Sequence, residues 1–124
     1  MIEPQDDHRE PSIDFPDLLS RVDNDRELLR ELLAIFKEDF PKYLQALKDA
    51  VALQDMKQTA MVSHTLKGML LNLSVTRAAS AAAQVEESAQ QGETISVQTA
   101  LAAFELEVQG LVGEVEAHMV EVRR

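Results

Sequence analysis

Residues 24–51 read NDRELLRELLAIFKEDFPKYLQALKDAV, and their periodicity decides the fold class. Leu28, Leu32, Phe36, Phe40, Tyr43, Leu47 and Val51 step by three or four, which places them on one stripe of a helix. Asn24 is the candidate N-cap, with Glu27 three residues on in capping-box register. Pro41 removes one backbone donor, yet the stripe keeps its phase across it. One kinked helix is therefore expected rather than two.

Working outward, Asp14 is a second N-cap candidate, with Asp17 at N3, for a short helix carrying Leu18, Leu19 and Val22. Asp55 opens a helix to about Leu73, and another spans roughly Val75 to Gln91 before Gly92, a good helix-stop residue. That helix is rich in alanine, which lets a neighbouring backbone come close. The last helix opens near Thr94 or Ser96, with the stripe Val97, Leu101, Phe104, Val108, Leu111, Val115 and Met119. It is read straight through Gly110 and Gly113, at about 1 kcal/mol each relative to alanine. The stripe reads as bundle core rather than a dimer seam, so a monomer is expected. The fold class is all-α: an antiparallel, up-down-up-down four-helix bundle with a short extra N-terminal helix. Residues 1–13 read as a flexible acidic tail and residues 14–124 as the single domain.

Composition removes several functions. The 124 residues carry 12 Lys+Arg against 22 Asp+Glu, a net charge of −10. Nucleic acid and anionic membrane surfaces, which ask for a basic footprint, are poor partners for such a chain. With no cysteine, disulfides and thiolate chemistry are excluded. The acidic start MIEPQDDHRE has no apolar h-region, and no run is long enough to span a membrane, so a cytoplasmic protein is expected. His8, His64 and His118 fall on separate elements without metal-ligand spacing, and no metal or cofactor is expected. His8 and His118 read as solvent-exposed.

One helix carries more than a core requires. In DMKQTAMVSHTLKGMLLNL, residues 55–73, a step of about 100° per residue gathers Val62, Leu66, Met69 and Leu73 into the buried stripe. His64 then points roughly 160–180° away, toward solvent. Ala60, Lys67, Gly68 and Leu71 surround it, with Lys57 nearly two turns before it. A mid-helix glycine costs stability unless something must come close, and Leu71 is a large apolar residue facing outward. A histidine ringed by such neighbours suits a docking surface with a reactive centre. Arg77 and Gln84 on the alanine-rich helix are candidates for its border.

The stretch Ser63-His64-Thr65-Leu66-Lys67-Gly68 resembles the signature of histidine-containing phosphotransfer (HPt) domains of two-component phosphorelays. The flanks, Leu28 to Leu33 with Phe36, Asp39, Pro41 and Leu44, and Asn72-Leu73 followed by a small-residue helix with Val85-Glu86, are similar as well. The resemblance implies that His64 is phosphorylated at Nε2 and that Lys67 offsets phosphoryl charge. It implies that Gly68 leaves space for the phosphoryl group and the partner, and that Glu86 accepts from His64 Nδ1–H. Ala60 and Leu71 would belong to the docking face. The partner would be the receiver domain of a response regulator, a hybrid sensor histidine kinase, or both. It would bring its own Mg²⁺, because the chain has no phosphate loop or metal cluster. Such a domain is a phosphocarrier without kinase activity. The alternative is a non-catalytic helical-bundle interaction module that docks a receiver or kinase. Two positions depart from the family pattern: Met69, where a small or hydroxyl residue is usual, and Ser74, where glycine is usual and where serine is expected to cap the next helix.

Overall fold

The computed structural model describes the backbone of residues 13–123 and the side chains of residues 13–120. Six helices follow one another: α1 (Phe15–Arg21), α2 (Arg26–Ala52), α3 (Met56–Asn72), α4 (Thr76–Gln91), α5 (Thr94–Val108) and α6 (Leu111–Arg123). No strand occurs among the described residues.

Three aspartates start three of these helices. Asp14, Asp25 and Asp55 accept hydrogen bonds from the backbone N–H of Asp17, Leu28 and Gln58, each three residues on. Asp25, not Asn24, caps α2. Asn24 sits at φ +60°, outside the extended conformation that an N-cap adopts.

The turns between α2, α3, α4 and α5 share one device. The residue before each cap lies at positive φ, namely Gln54, Ser74 and Gly92. The cap residue then bonds back five positions, as in Asp55 N–H to Ala50 O and Val75 N–H to Leu70 O. This pattern closes one helix and opens the next within three residues. Ser74 therefore takes the left-handed role that favours glycine, and Val75, with no side-chain cap, precedes α4.

α2 packs against α3 and α6, α3 against α4, and α4 against α5. The last two helices jointly fill the fourth corner of the bundle. The single last helix expected from sequence is broken: α5 ends at Val108, and Gly110 at φ +81° separates it from α6. The apolar stripe survives the break. Val97, Phe104, Val108, Leu111 and Val115 are buried, and Leu101 and Met119 pack against them half-buried.

α2 remains one helix through Pro41. Its N-terminal half, however, is rotated by one residue from the expected stripe. Leu29 and Leu33 enter the core, while Leu28 is exposed and Leu32 is half-buried; beyond Pro41, Tyr43 is also exposed, with Leu44 half-buried beside it. Leu28-Leu29 and Leu32-Leu33 are paired leucines, so spacing alone left two faces open there. The same slip occurs in α3, where Leu70 is fully buried and Met69 lies at the core's edge. Ile13 is buried in the core and so belongs to the domain. The tail expectation for the preceding residues, His8 included, lies outside the described residues. His118 is half-buried and stacks on Phe15 with ring centroids 4.5 Å apart, not solvent-exposed as expected.

Candidate functional site

α3 meets α4 through small residues. Thr59 and Ser63 on α3 are buried, and α4 buries Ala78, Ala79, Ala82 and Ala89. The two hydroxyls are satisfied inside α3, Thr59 by the Asp55 carbonyl and Ser63 by the Thr59 carbonyl, so neither requires a partner on α4. Small, internally satisfied faces let the two helices approach closely. A side chain at the outer edge of α4 then reaches across to the outer edge of α3.

That side chain is Glu86. Its Oε2 lies 3.1 Å from His64 Nδ1, and its Oε1 lies 3.5 Å from Lys67 Nζ. A carboxylate is an acceptor only, so in the neutral ring the contact favours the tautomer with its proton on Nδ1 and the Nε2 lone pair free. The His64 side chain is 66% exposed while that of Glu86 is 18% exposed, so the anchored nitrogen faces the protein. Lys67, one turn after His64, is 31% exposed and flanks the same carboxylate. A nucleophilic nitrogen presented to solvent, oriented from behind and flanked by a cation, is suited to accept an electrophilic anion.

Gly68 lies on the exposed face one turn beyond His64. A Cβ at Gly68 would meet no atom of this chain within 4 Å. Packing inside the bundle therefore gives no reason for glycine in the middle of α3. Leu71 is 44% exposed on the same face, Met61 and Thr65 are exposed beside them, and Ala60 is half-buried. Among its exposed positions, Lys57 alone brings charge to the outer side of α3. A shallow apolar groove between α2 and α3, lined by Leu32, Ile35, Met69 and Asn72, continues this surface.

Arg77 and Gln84 do not border it. Arg77 pairs with Glu107 on α5 at 3.2 Å, and Gln84 lines a groove between α4 and α5. Sequence reasoning missed a support at the end of α3. Arg21 of α1 donates to the Leu71 carbonyl at 3.0 Å and to Ser74 Oγ at 2.8 Å. Ser74 Oγ in turn donates to Asp17 at 2.7 Å. The short first helix is thus pinned to the end of α3 through Ser74. No local spacing signals a contact between residues so far apart in the chain.

Among the described residues, no group of three His, Cys, Asp or Glu side chains could hold a metal ion. None of their helices is long and apolar enough to cross a membrane. A family model described as the Hpt domain matches residues 31–118, which include α3, α4 and α5 entire. No curated protein and no solved structure matches the chain.

Proposed function

The chain belongs to the Hpt domain family, the histidine phosphotransfer domains of phosphorelays, and on that premise we propose that His64 carries the phosphoryl group. The family's members are phosphocarriers rather than kinases and work with receiver domains of two-component systems. The supporting observation is the His64–Glu86 contact of 3.1 Å, with the other face of the ring open to solvent.

In the proposed step, the Nε2 lone pair of neutral His64 attacks the phosphorus of a receiver's aspartyl phosphate. The N–P bond forms as the acyl O–P bond breaks, and the aspartate leaves as carboxylate. The proton stays on Nδ1, where Glu86 offsets the positive charge that the ring acquires. Lys67 shifts from Glu86 toward the phosphoryl oxygens, and Gly68 leaves room for both the group and the receiver's edge. Return of the phosphoryl group to a second receiver aspartate reverses each step. Positioning and charge neutralisation dominate such a transfer, so the chain needs little machinery of its own. The receiver supplies Mg²⁺ and docks on the weakly charged face formed by Leu71, Met61, Ala60 and the groove beside Ile35. Such a relay would operate in the cytoplasm.

The test is transfer from a receiver charged with a small-molecule phosphodonor. Phosphate is expected to leave the receiver and appear on this chain, and His64→Gln is expected to abolish that without unfolding the bundle. Receiver binding that persists alongside no transfer to the wild-type chain would leave only the interaction-module reading.

A further inference from the structure

α5 has a second seam, on the side away from the core. Its exposed residues are Ile95, Gln98, Thr99, Ala102, Ala103 and Leu106, none of them charged. In a chain of net charge −10 this is unusual. α2, by contrast, exposes Arg26, Glu27, Arg30, Glu31, Lys37 and Glu38. Ile95 is 78% and Leu106 67% exposed, the most exposed large apolar residues on this helix. Ile95, Thr99, Ala102 and Leu106 follow a 4-3-4 spacing, which keeps them on one line along the helix and is the repeat of helices that pair. A shallow groove runs on each side of this ridge, one bordered by Ala81 and Gln84 and the other by Leu44 and Lys48. The face lies across the bundle from α3, and receiver docking beside His64 does not account for it.

In place of the monomer expected from the core stripe, we propose that this separate face joins two copies of the chain through antiparallel α5 helices. Read along the seam, the residues run large, small, small, large. A two-fold axis between Ala100 and Leu101 therefore sets Ile95 against Leu106 of the second copy, and Thr99 against Ala102. The small middle lets the two axes approach to about 8–10 Å, and the ridge of each copy can settle beside that of the other. Antiparallel helices also oppose their macrodipoles, which puts each α5 N-terminus near the other copy's Glu105 and Glu107. Those two acids are already balanced within the chain, Glu105 by Lys48 at 3.4 Å and Glu107 by Arg77 at 3.2 Å. A second copy therefore meets an uncharged seam whose C-terminal acids are compensated. The diffuse repulsion between two acidic molecules, together with exposed Glu93 at each α5 N-terminus, opposes pairing, and salt screens it. Six exposed residues on one helix are few beside the roughly 20–30 residues a side of a standard interface, so association is expected to depend on concentration. Both His64 side chains point away from the joint and stay open to partners.

Sedimentation equilibrium of the whole chain tests this, and phosphate enters none of its readouts, so the outcome is independent of the transfer assay. The mass is expected to climb from 13.8 kDa toward twice that value with concentration, and to climb sooner in higher salt. Leu106→Glu and Ala102→Glu, both at exposed positions, are each expected to weaken association more than about tenfold with an unchanged circular dichroism spectrum, because each would bury an unpaired charge. The chain has no cysteine, so engineered thiols report orientation cleanly. Ile95→Cys mixed with Leu106→Cys should form a crossed disulfide faster than either variant alone. A monomer at every concentration, a dimer indifferent to both glutamates, or preferred Ile95→Cys self-linking would each overturn the proposal.

Discussion

Under the proposed function, His64 depends on what holds it from behind. The Glu86 carboxylate fixes one ring nitrogen, so the other is presented as a lone pair toward solvent rather than averaged between two tautomers. Lys67 stands close enough to the same carboxylate to share it and change partners. Lys67→Ala is expected to slow phosphotransfer roughly tenfold while leaving the melting temperature nearly unchanged, since the ammonium offsets charge at the reacting group and the contact with Glu86 is partly solvated. Gly68 offers a sharper discrimination. Nothing in the chain crowds a Cβ there, so Gly68→Ala should stabilise α3, by up to about 1 kcal/mol in a denaturant titration. The same change should slow transfer from a receiver, because the methyl group occupies the space in which the partner approaches. A variant both more stable and less active would show that the glycine is kept for docking.

At the scale of elements, the helices were legible in the sequence wherever a single apolar stripe met a strong cap. Asp14, Asp55 and Gly92 were identified from their residue types, and the core stripe of the last helix was identified although the helix itself is broken. Failures fell where two neighbouring residues were equally apolar. Leu28-Leu29, Leu32-Leu33 and Met69-Leu70 each allow two registers, and contacts with the other helices, which no local pattern contains, choose between them. Leu70→Ala should therefore cost about 2–5 kcal/mol of stability, while the adjacent Leu71→Ala should cost little and weaken receiver binding instead. The break at Gly110 was hidden for a related reason: glycine in a helix pattern signals either a tolerated cost or a left-handed stop. The two cases separate by substitution. Gly110→Ala should destabilise by about 1 kcal/mol, because alanine resists φ +81°, whereas Gly113→Ala, inside α6 with open space around it, should stabilise by a similar amount. The pairing of His64 and Lys67 followed from spacing along one helix. Glu86 was located by family resemblance, since its approach depends on how closely two helices pack.

For the whole molecule, an acidic bundle presents weakly charged surface in two places, around His64 on α3 and along the outer side of α5. Under the proposed function the first meets successive receivers, and under the proposed pairing the second meets another copy of the chain. Because the bundle rather than a loop supports the histidine, its geometry should be nearly the same before and after phosphorylation. The most direct test of the central claim is a nitrogen–phosphorus NMR spectrum of the ¹⁵N-histidine-labelled chain after transfer from a charged receiver. The account predicts phosphorus coupled to Nε2 of His64, with Nδ1 still protonated. Phosphorus on Nδ1, on another residue, or nowhere on the chain would contradict it.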